Sequence, residues 1–470
     1  MEKKLVYDVH ETPKFGHMLI FALQQLLAIL AATIAVPTII GLPTQIPAAI
    51  LGAGVGTLVY QFFTKRKSPV FLGSSFSFIS SLLVAITYGY CGIILGSVVA
   101  GLVYVLIAII IHFAGTKWVN KLMPPVIIGP TVALIGLSLA VNAMGDMVKS
   151  NASLWNGSYN LVALLCGLVT FFTVIICSTQ KRFKMPRLIP FILGICAGYF
   201  VAAVFTVIGK VADIDYIQII DFKPVVQNFF GENGAFKGVT AFVNYPDFAL
   251  IEGIKEIKNG TLLLNNWGSV AEVVIAFLPV ALVVFAEHIA DHKNLSSIIG
   301  QDLIEEPGLK RTLLGDGVGS IMGTIFGICP NTTYGESVGC VAITRNASVS
   351  TITCTAIMCI VLSFLSPVMA VLQTIPSCVM GGVCLTLYGF IAVSGLRMFK
   401  NLDLDDSRNL FVVAAVLITG IGGLTIQIPY AFTETGNIAN VIQITPIATA
   451  LIMGIVTNWV LSKFDKKKGE

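Results

Sequence analysis

Fourteen stretches of this 470-residue chain are apolar over a length close to that of a membrane-crossing helix, seven on each side of one polar stretch at 210–267. A hydrocarbon core about 30 Å thick takes about 20 residues of helix. The runs lie at 17–41, 46–63, 68–85, 91–113, 125–142, 159–178 and 188–209, then at 268–288, 312–328, 331–345, 348–372, 377–396, 409–427 and 441–462. Two of them stand apart: 68–85 opens on polar residues, and 331–345 is both short and polar. Composition agrees with a chain immersed in lipid. Hydrophobic residues make up 56% and charged residues only 11%, against roughly 25% charged in soluble domains. So few polar groups cannot cover a water-facing surface, which excludes a soluble enzyme, a nucleic-acid binder and a disordered protein.

The first apolar run begins near His17 and is too long for the core of a signal peptide, about 7–15 residues, so it is read as a retained span. Charge placement tests the count of runs. With the N-terminus cytoplasmic, 23 of the 29 Lys and Arg fall on the cytoplasmic side, among them Lys65-Arg66-Lys67, Lys181-Arg182, Lys310-Arg311 and Arg397. The remaining six are Lys149 and five in the 210–267 stretch, and long loops are where the positive-inside bias is weakest. A miscount by one span would scramble this alternation, so both termini are expected inside. The ten cysteines are scattered through apolar runs, for example Cys166, Cys196 and Cys359, with no CxxC pair. They read as small apolar filler, without a disulfide framework or a metal site. The 210–267 stretch is expected to be an ordered external cap. Within it Phe248, Ile251, Ile254 and Ile257 recur at helical spacing, with Glu252, Lys255, Glu256 and Lys258 on other faces, the pattern of an amphipathic surface helix.

The two halves echo each other. Gly73-Ser-Ser-Phe-Ser-Phe78 precedes Pro124-Pro-Val-Ile-Ile-Gly129, and Asn331-Thr-Thr-Tyr-Gly335 precedes Ile375-Pro-Ser-Cys-Val-Met-Gly-Gly382 at a similar interval. Seven is odd, so the second half enters the membrane with the opposite orientation and the repeat is inverted. Broken or shortened spans at matching positions of such repeats mark a binding site near the bilayer midplane. Ser74, Ser75, Ser77, Thr332 and Thr333 beside Gly73 and Gly335 are poor helix formers. Irregular backbone survives at membrane depth only where protein buries it or a cavity adjoins it. The bland reading of either segment is close helix packing through small residues.

Two acids lie in apolar surroundings: Glu287 ends the run FLPVALVVFAE, and Glu336 sits in NTTYGESVGCVAITR. Burying a carboxylate in hydrocarbon is costly, so each is a functional-site candidate. The competing readings are a span-end acid facing water for Glu287 and a hydrogen bond to broken backbone for Glu336. Asp291 lies one turn beyond Glu287 on the same face and could hold a proton beside it. His288 and His292 follow in the same segment, with the water-facing end of a helix as their simplest placement. A zinc site is not expected, because nothing supplies a third ligand. Asp316 in GDGVGS reads as a helix N-cap.

With these motifs in place, the sequence resembles the nucleobase–ascorbate transporter family, and within it the bacterial uracil permeases. The resemblance runs over nearly the whole chain, through LQQLLAILAATIAVP, LGSSFSFIS, FLPVALVVFAEH and PNTTYGESVGCVAITR. The family signature [Q/E/P]-N-x-G-x4-T-[R/K/G] is matched by Glu336-Ser337-Val338-Gly339 and, four residues on, Thr344-Arg345. The resemblance implies an all-α integral membrane protein of fourteen transmembrane segments, arranged as two inverted repeats of seven, with strand-like breaks in segments three and ten. It implies a core domain from 15–124 and 268–375, a gate domain from 125–209 and 376–463, and the external loop 210–267 between them. It also implies a secondary active transporter in the bacterial cytoplasmic membrane, importing uracil with protons as the core moves against the gate, and working as a homodimer. By residue, it implies that Glu287 and Glu336 hold the nucleobase, that backbone at Phe76 and Gly335 bonds the ring edge, and that Ala32 lies against the ligand. Glu287, Glu336 and Asp291 are the implied proton-coupling groups. No cofactor is expected beyond the proton gradient, and sodium coupling stays open. Ser337 stands where the family usually has Asn, and Asp291 where uracil permeases often carry His. A xanthine or urate permease is the main alternative, although its tenth-segment motif usually has Gln where Glu336 stands. An anion exchanger of the same architecture would call for positive charge at the site rather than two acids. A membrane enzyme finds no Ser/His/Asp set, GxSxG, HExxH or phosphate loop.

Overall fold

A computed structural model describes residues 5–115, 118, 124–149, 159–182, 186–187, 189–230, 234–264, 266–432 and 438–465. Helices α1 (Phe15–Ile39) and α2 (Ile46–Phe63) lead into strand β1 (Leu72–Ser74), the short helix α3 (Ile79–Ala85) and α4 (Gly89–Ala114). Helices α5 (Pro125–Met147), α6 (Leu161–Thr179) and α7 (Pro190–Ala212) complete the first half. The polar stretch contributes α8 (Lys223–Phe229) and α9 (Ala249–Lys258). The second half runs through α10 (Trp267–Ile299), α11 (Leu309–Phe326), β2 (Asn331–Thr333), α12 (Gly335–Thr344), α13 (Val349–Ser363), α14 (Ser366–Gln373) and α15 (Ser377–Arg397). It ends with α16 (Ser407–Ile421), the hairpin β3 (Ile426–Phe432) and β4 (Ile438–Ile444), and α17 (Pro446–Asp465). Nine helical stretches among the described residues are long and apolar enough to cross a membrane; Val349–Ser363 and Ser407–Ile421 are apolar but shorter. The protein is therefore an all-helical, multi-pass membrane protein with small strand elements.

Helix packing falls mainly into two sets. In one, α11 lies against α2 and α4, α10 against α4, and α13 against α1 and α2. In the other, α15 lies against α5 and α6, α7 against α6, and α16 against α5 and α17. Both sets close-pack through glycine. A Cβ on Gly317 would meet the Gly101 carbonyl oxygen at 2.8 Å, and one on Gly395 would meet the Ala133 nitrogen at 2.3 Å. In lipid, where no hydrophobic effect drives helices together, such backbone approach supplies the association through van der Waals contact.

The two broken segments meet. Strands β1 and β2 pair antiparallel, with Leu72 opposite Thr333, Gly73 opposite Thr332 and Ser74 opposite Asn331. An antiparallel pairing is what two inverted repeats would be expected to give. It satisfies backbone groups that the short segments cannot bond within a helix. Gly73 is obligatory there, because a Cβ would fall 2.3 Å from the Tyr334 ring, whose hydroxyl donates to the Ser74 carbonyl oxygen at 3.0 Å. Each break is followed, as the repeat implies, by a proline-led helix: Pro124 caps α5 and Pro376 caps α15.

Three sequence expectations change. The run 268–288 is part of a 33-residue helix, so Glu287 is interior to α10 rather than at its end. Residues 426–444, taken partly into the last two spans, form a hairpin in which Ile426, Gln427 and Ile428 face Ile444, Gln443 and Ile442. The alternation of β-branched and polar residues there has a period of two, not 3.6. In the cap, α9 has its expected helix, but Ile251, Ile254 and Ile257 point outward. The side toward the protein is made by Ala249, Gly253 and Glu256. The Glu256 carboxylate accepts from the Tyr90 and Cys91 amides at 2.9 and 3.1 Å, capping α4.

Candidate functional site

One face of α10 runs along a cavity of about 610 Å³ between the two helix sets. Glu287, Asp291, Asn294 and Ile298 follow one another at spacings of three or four residues, so they share that face. From Glu287 to Ile298 the helix rises about 16 Å. The far wall comes from the second set, through Val132, Phe191 and Leu387. Toward the C-terminal end of α10 the cavity reaches Arg187 and Arg397.

The acids sit where the broken segments cross α10. Ser77, in the turn before α3, donates its hydroxyl to Glu287 Oε2 at 2.9 Å. Thr333, the last residue of β2, donates to Asp291 Oδ2 at 2.6 Å. Each break thus supplies one hydroxyl to one carboxylate, and the two carboxylates are one helical turn apart. Glu336 reaches the same cavity from the first turn of α12. The first amides of a helix have no partner within it, and here they lie beside Gly335, which is exposed on the cavity wall. Phe76 lines the cavity and meets the Tyr388 ring edge-on, with centroids 5.6 Å apart. Ser337 faces away from the cavity and is hydrogen-bonded by the Gln25 side-chain amide, tying α12 to α1.

The structure therefore brings Glu287, Asp291, Glu336, Gly335 and Phe76 to one cavity. Ala32 is fully buried inside α1 and does not line it; Ala28, one turn earlier, does. Helix spacing explains the difference, since positions four apart share a face but differ in depth along it.

The opposite face of α10 carries a second polar group that the sequence reading placed differently. His288 and His292 are fully buried, not at a water-facing helix end. Asp316 is fully buried inside α11, not an N-cap. His288 Nδ1 lies 2.7 Å from Asp316 Oδ2 and its Nε2 lies 3.0 Å from Thr312 Oγ1. A tautomer with the proton on Nδ1 satisfies both contacts. His292 lies 2.8 Å from the His288 carbonyl oxygen through Nδ1, and 2.7 Å from the Tyr60 hydroxyl through Nε2. Among the described residues no cluster of three or more His, Cys, Asp or Glu has the arrangement of a metal site. Ser77 and Thr333 could have been found in the sequence, because they lie in the segments flagged as broken. Asp316 gave no comparable signal.

Comparison with known proteins defines the family. Residues 16–429 match the model of a permease family. A uracil permease of Bacillus caldolyticus is 36% identical over 97% of this chain and 95% of its own length. A uracil permease of Bacillus subtilis is 34% identical over 100% of this chain and 98% of its own. A third, from Escherichia coli, is 32% identical over 93% of this chain and 92% of its own. The chain belongs to the nucleobase–ascorbate transporter family; it is a membrane transport protein and not an enzyme. In fold it is similar to the transmembrane domain of a cyanobacterial bicarbonate transporter, with a TM-score of 0.57 and 13% identity over 97% of this chain and 100% of that one. It is also similar to the murine solute carrier 26 member A9 anion transporter in its inward-facing state, with a TM-score of 0.62 and 10% identity over 97% of this chain and 69% of that one. At such identities the likeness is one of fold alone.

Proposed function

We propose that the protein imports uracil together with protons across the bacterial cytoplasmic membrane, as a homodimer with both termini inside. The observation that carries this reading is the convergence of Glu287, Asp291 and Glu336 on one cavity beside the start of α12. Uracil presents two N–H donors and two carbonyl acceptors. An ionised carboxylate accepts from a ring N–H, a protonated one also donates to a carbonyl, and the first amides of α12 donate to the ring edge. Two acids suit such a neutral ring better than an anion, which would call for positive charge. The names of the relatives support uracil among the nucleobases.

In this reading α1–α4 and α10–α14 form a core that carries the substrate, and α5–α7 with α15–α17 form the gate. Loading from outside adds a proton to a carboxylate of the Glu287–Asp291 pair. Movement of core against gate opens the cavity toward Arg187 and Arg397, where cytoplasmic water takes the proton and the base leaves. The carboxylate returns ionised, so each cycle moves one base and the proton that accompanied it.

The test is uptake of labelled uracil into cells lacking their own permease, with and without a protonophore and with excess unlabelled xanthine. Uptake abolished by the protonophore and indifferent to xanthine is expected. Uptake that survives the protonophore overturns proton coupling and leaves sodium or no coupling. Entry of labelled xanthine in place of uracil overturns the substrate.

A further inference from the structure

The polar stretch between the two halves is tied along the ends of three helices. The Asn244 amide donates to the Phe364 carbonyl oxygen at 3.1 Å, and the Ser366 amide to the Phe242 carbonyl oxygen at 3.1 Å. The Ala249 amide donates to the Gly327 carbonyl oxygen at 3.2 Å, and Glu256 caps α4. The cap is thereby fixed at the level where α13 and α11 end and α4 begins.

Its outer surface is not that of a water-facing loop. Phe230, Phe236, Val239, Phe242, Val243 and Tyr245 are all exposed, with Val239 at 79% and Tyr245 at 68%. The aromatic rings touch edge-on, Phe230 to Phe236 at 6.3 Å and Phe236 to Phe242 at 6.2 Å. Backbone bonds hold the loop in that shape: Phe230 and Phe236 form a bridge, and the Lys237 amide donates to the Phe229 carbonyl oxygen at 2.9 Å. Ordering several large apolar side chains toward water would be unfavourable, and contiguous exposed apolar patches mark an interaction surface.

What covers the patch follows from what it continues. Ile357 and Val361 are exposed one turn apart on the apolar helix α13, and Leu365, exposed in the turn just beyond its end, continues that apolar stripe. Leu365 is bridged to Val243, so the stripe passes without a polar break into the aromatic cluster. Apolar rings such as Phe236 and Phe242 suit the acyl side of the headgroup boundary, while the Tyr245 hydroxyl and the long basic side chain of Lys237 suit its polar side. We propose that this cluster is a membrane anchor, seated in the headgroup–acyl boundary of the leaflet on the cap side. It would fix the depth of the helix ends that the cap joins. The inference is independent of the transported substrate.

The test places the photoreactive residue p-benzoylphenylalanine at Phe236 or Phe242 in the full chain, reconstituted in vesicles of phosphatidylethanolamine and phosphatidylglycerol. The same residue at Ile357 serves as the lipid-facing control and at Lys258 as the water-facing one. Phospholipid adducts at Phe236 and Phe242, in yield comparable to Ile357 and several-fold above Lys258, are expected by mass spectrometry. A covalent dimer in their place assigns the patch to a second copy and overturns the proposal. Yield no higher than at Lys258 also overturns it. A nitroxide on Val239→Cys gives a second readout: collision with oxygen should exceed collision with a water-soluble nickel chelate, and the reverse order places the cap in water.

Discussion

Helix α10 carries buried ionisable groups on two faces, and the faces are treated differently. On one, Glu287 and Asp291 border a cavity, each with a hydroxyl donor from a broken segment. On the other, His288 and His292 are sealed, with partners on both ring nitrogens, and Asp316 meets His288 from α11. The first face keeps acceptor capacity for a ligand, whereas the second has committed most of its capacity to the fold. Burial alone therefore does not mark a functional carboxylate. The informative feature is hydrogen-bonding capacity left over beside a space.

The largest effects should separate those faces. Glu287→Gln and Glu336→Gln keep shape and remove the charge, so uptake should fall by about two orders of magnitude, the equivalent of a lost charge-assisted bond. The amount of protein in the membrane and its melting temperature should hold. Asp316→Ala should do the reverse: it strips His288 of a buried partner, costing about 3 kcal/mol, and should show as lower yield and earlier melting in detergent. Measuring uptake per folded molecule keeps the two kinds of loss apart. A stable Asp316→Ala protein with abolished uptake would move Asp316 into the transport machinery and end the distinction.

The intermediate effects belong to the hydroxyls. Thr333→Val and Ser77→Ala each remove the hydroxyl that supports one acid, and a bond to a charged group contributes about 1.5–3 kcal/mol. Uptake should fall roughly tenfold or more, with Thr333→Ser recovering most of it because the donor returns. Equal losses in Thr333→Val and Thr333→Ser would show that packing of β2, rather than the bond to Asp291, is what matters.

Much of this was legible in the residues. The apolar runs, the breaks at Gly73 and Gly335, and the two intramembrane acids all follow from hydropathy and helix propensity. What was hidden has physical reasons. The run FLPVALVVFAE ends at Glu287 because hydropathy drops there, yet α10 continues, since His288 and His292 find partners inside the protein. Asp316 sits between Gly315 and Gly317, a context that reads as a helix start. Those glycines are there for close approach, to Tyr60 and to Gly101. The hairpin at 426–444 resembles helix ends in hydropathy because both states are apolar, and only the alternation of Ile and Gln distinguishes them. Ala32 is buried one turn beyond the cavity-lining Ala28, a difference of depth that sequence similarity does not resolve without the packing of α1.

A third carboxylate setting completes the comparison with the smallest effect. Glu306, outside the membrane spans, pairs with Lys67 at 2.5 Å while largely exposed. The Lys67 ammonium, through its hydrogen bond and its charge, holds the Glu306 carboxyl below its ordinary value of 4.5. A depressed folded value stabilises the protein above the ordinary one, and that contribution disappears as pH falls through the depressed value. Solvent and salt screen an exposed pair strongly. Glu306→Gln should therefore melt slightly earlier than the parent above pH 4.5 in low salt, merge with it in high salt, and merge again in acid below the depressed value. A loss as large as that of Asp316→Ala would mean that the Lys67–Glu306 pair holds the turn before α11 in place, and exposure would no longer rank the three carboxylate settings.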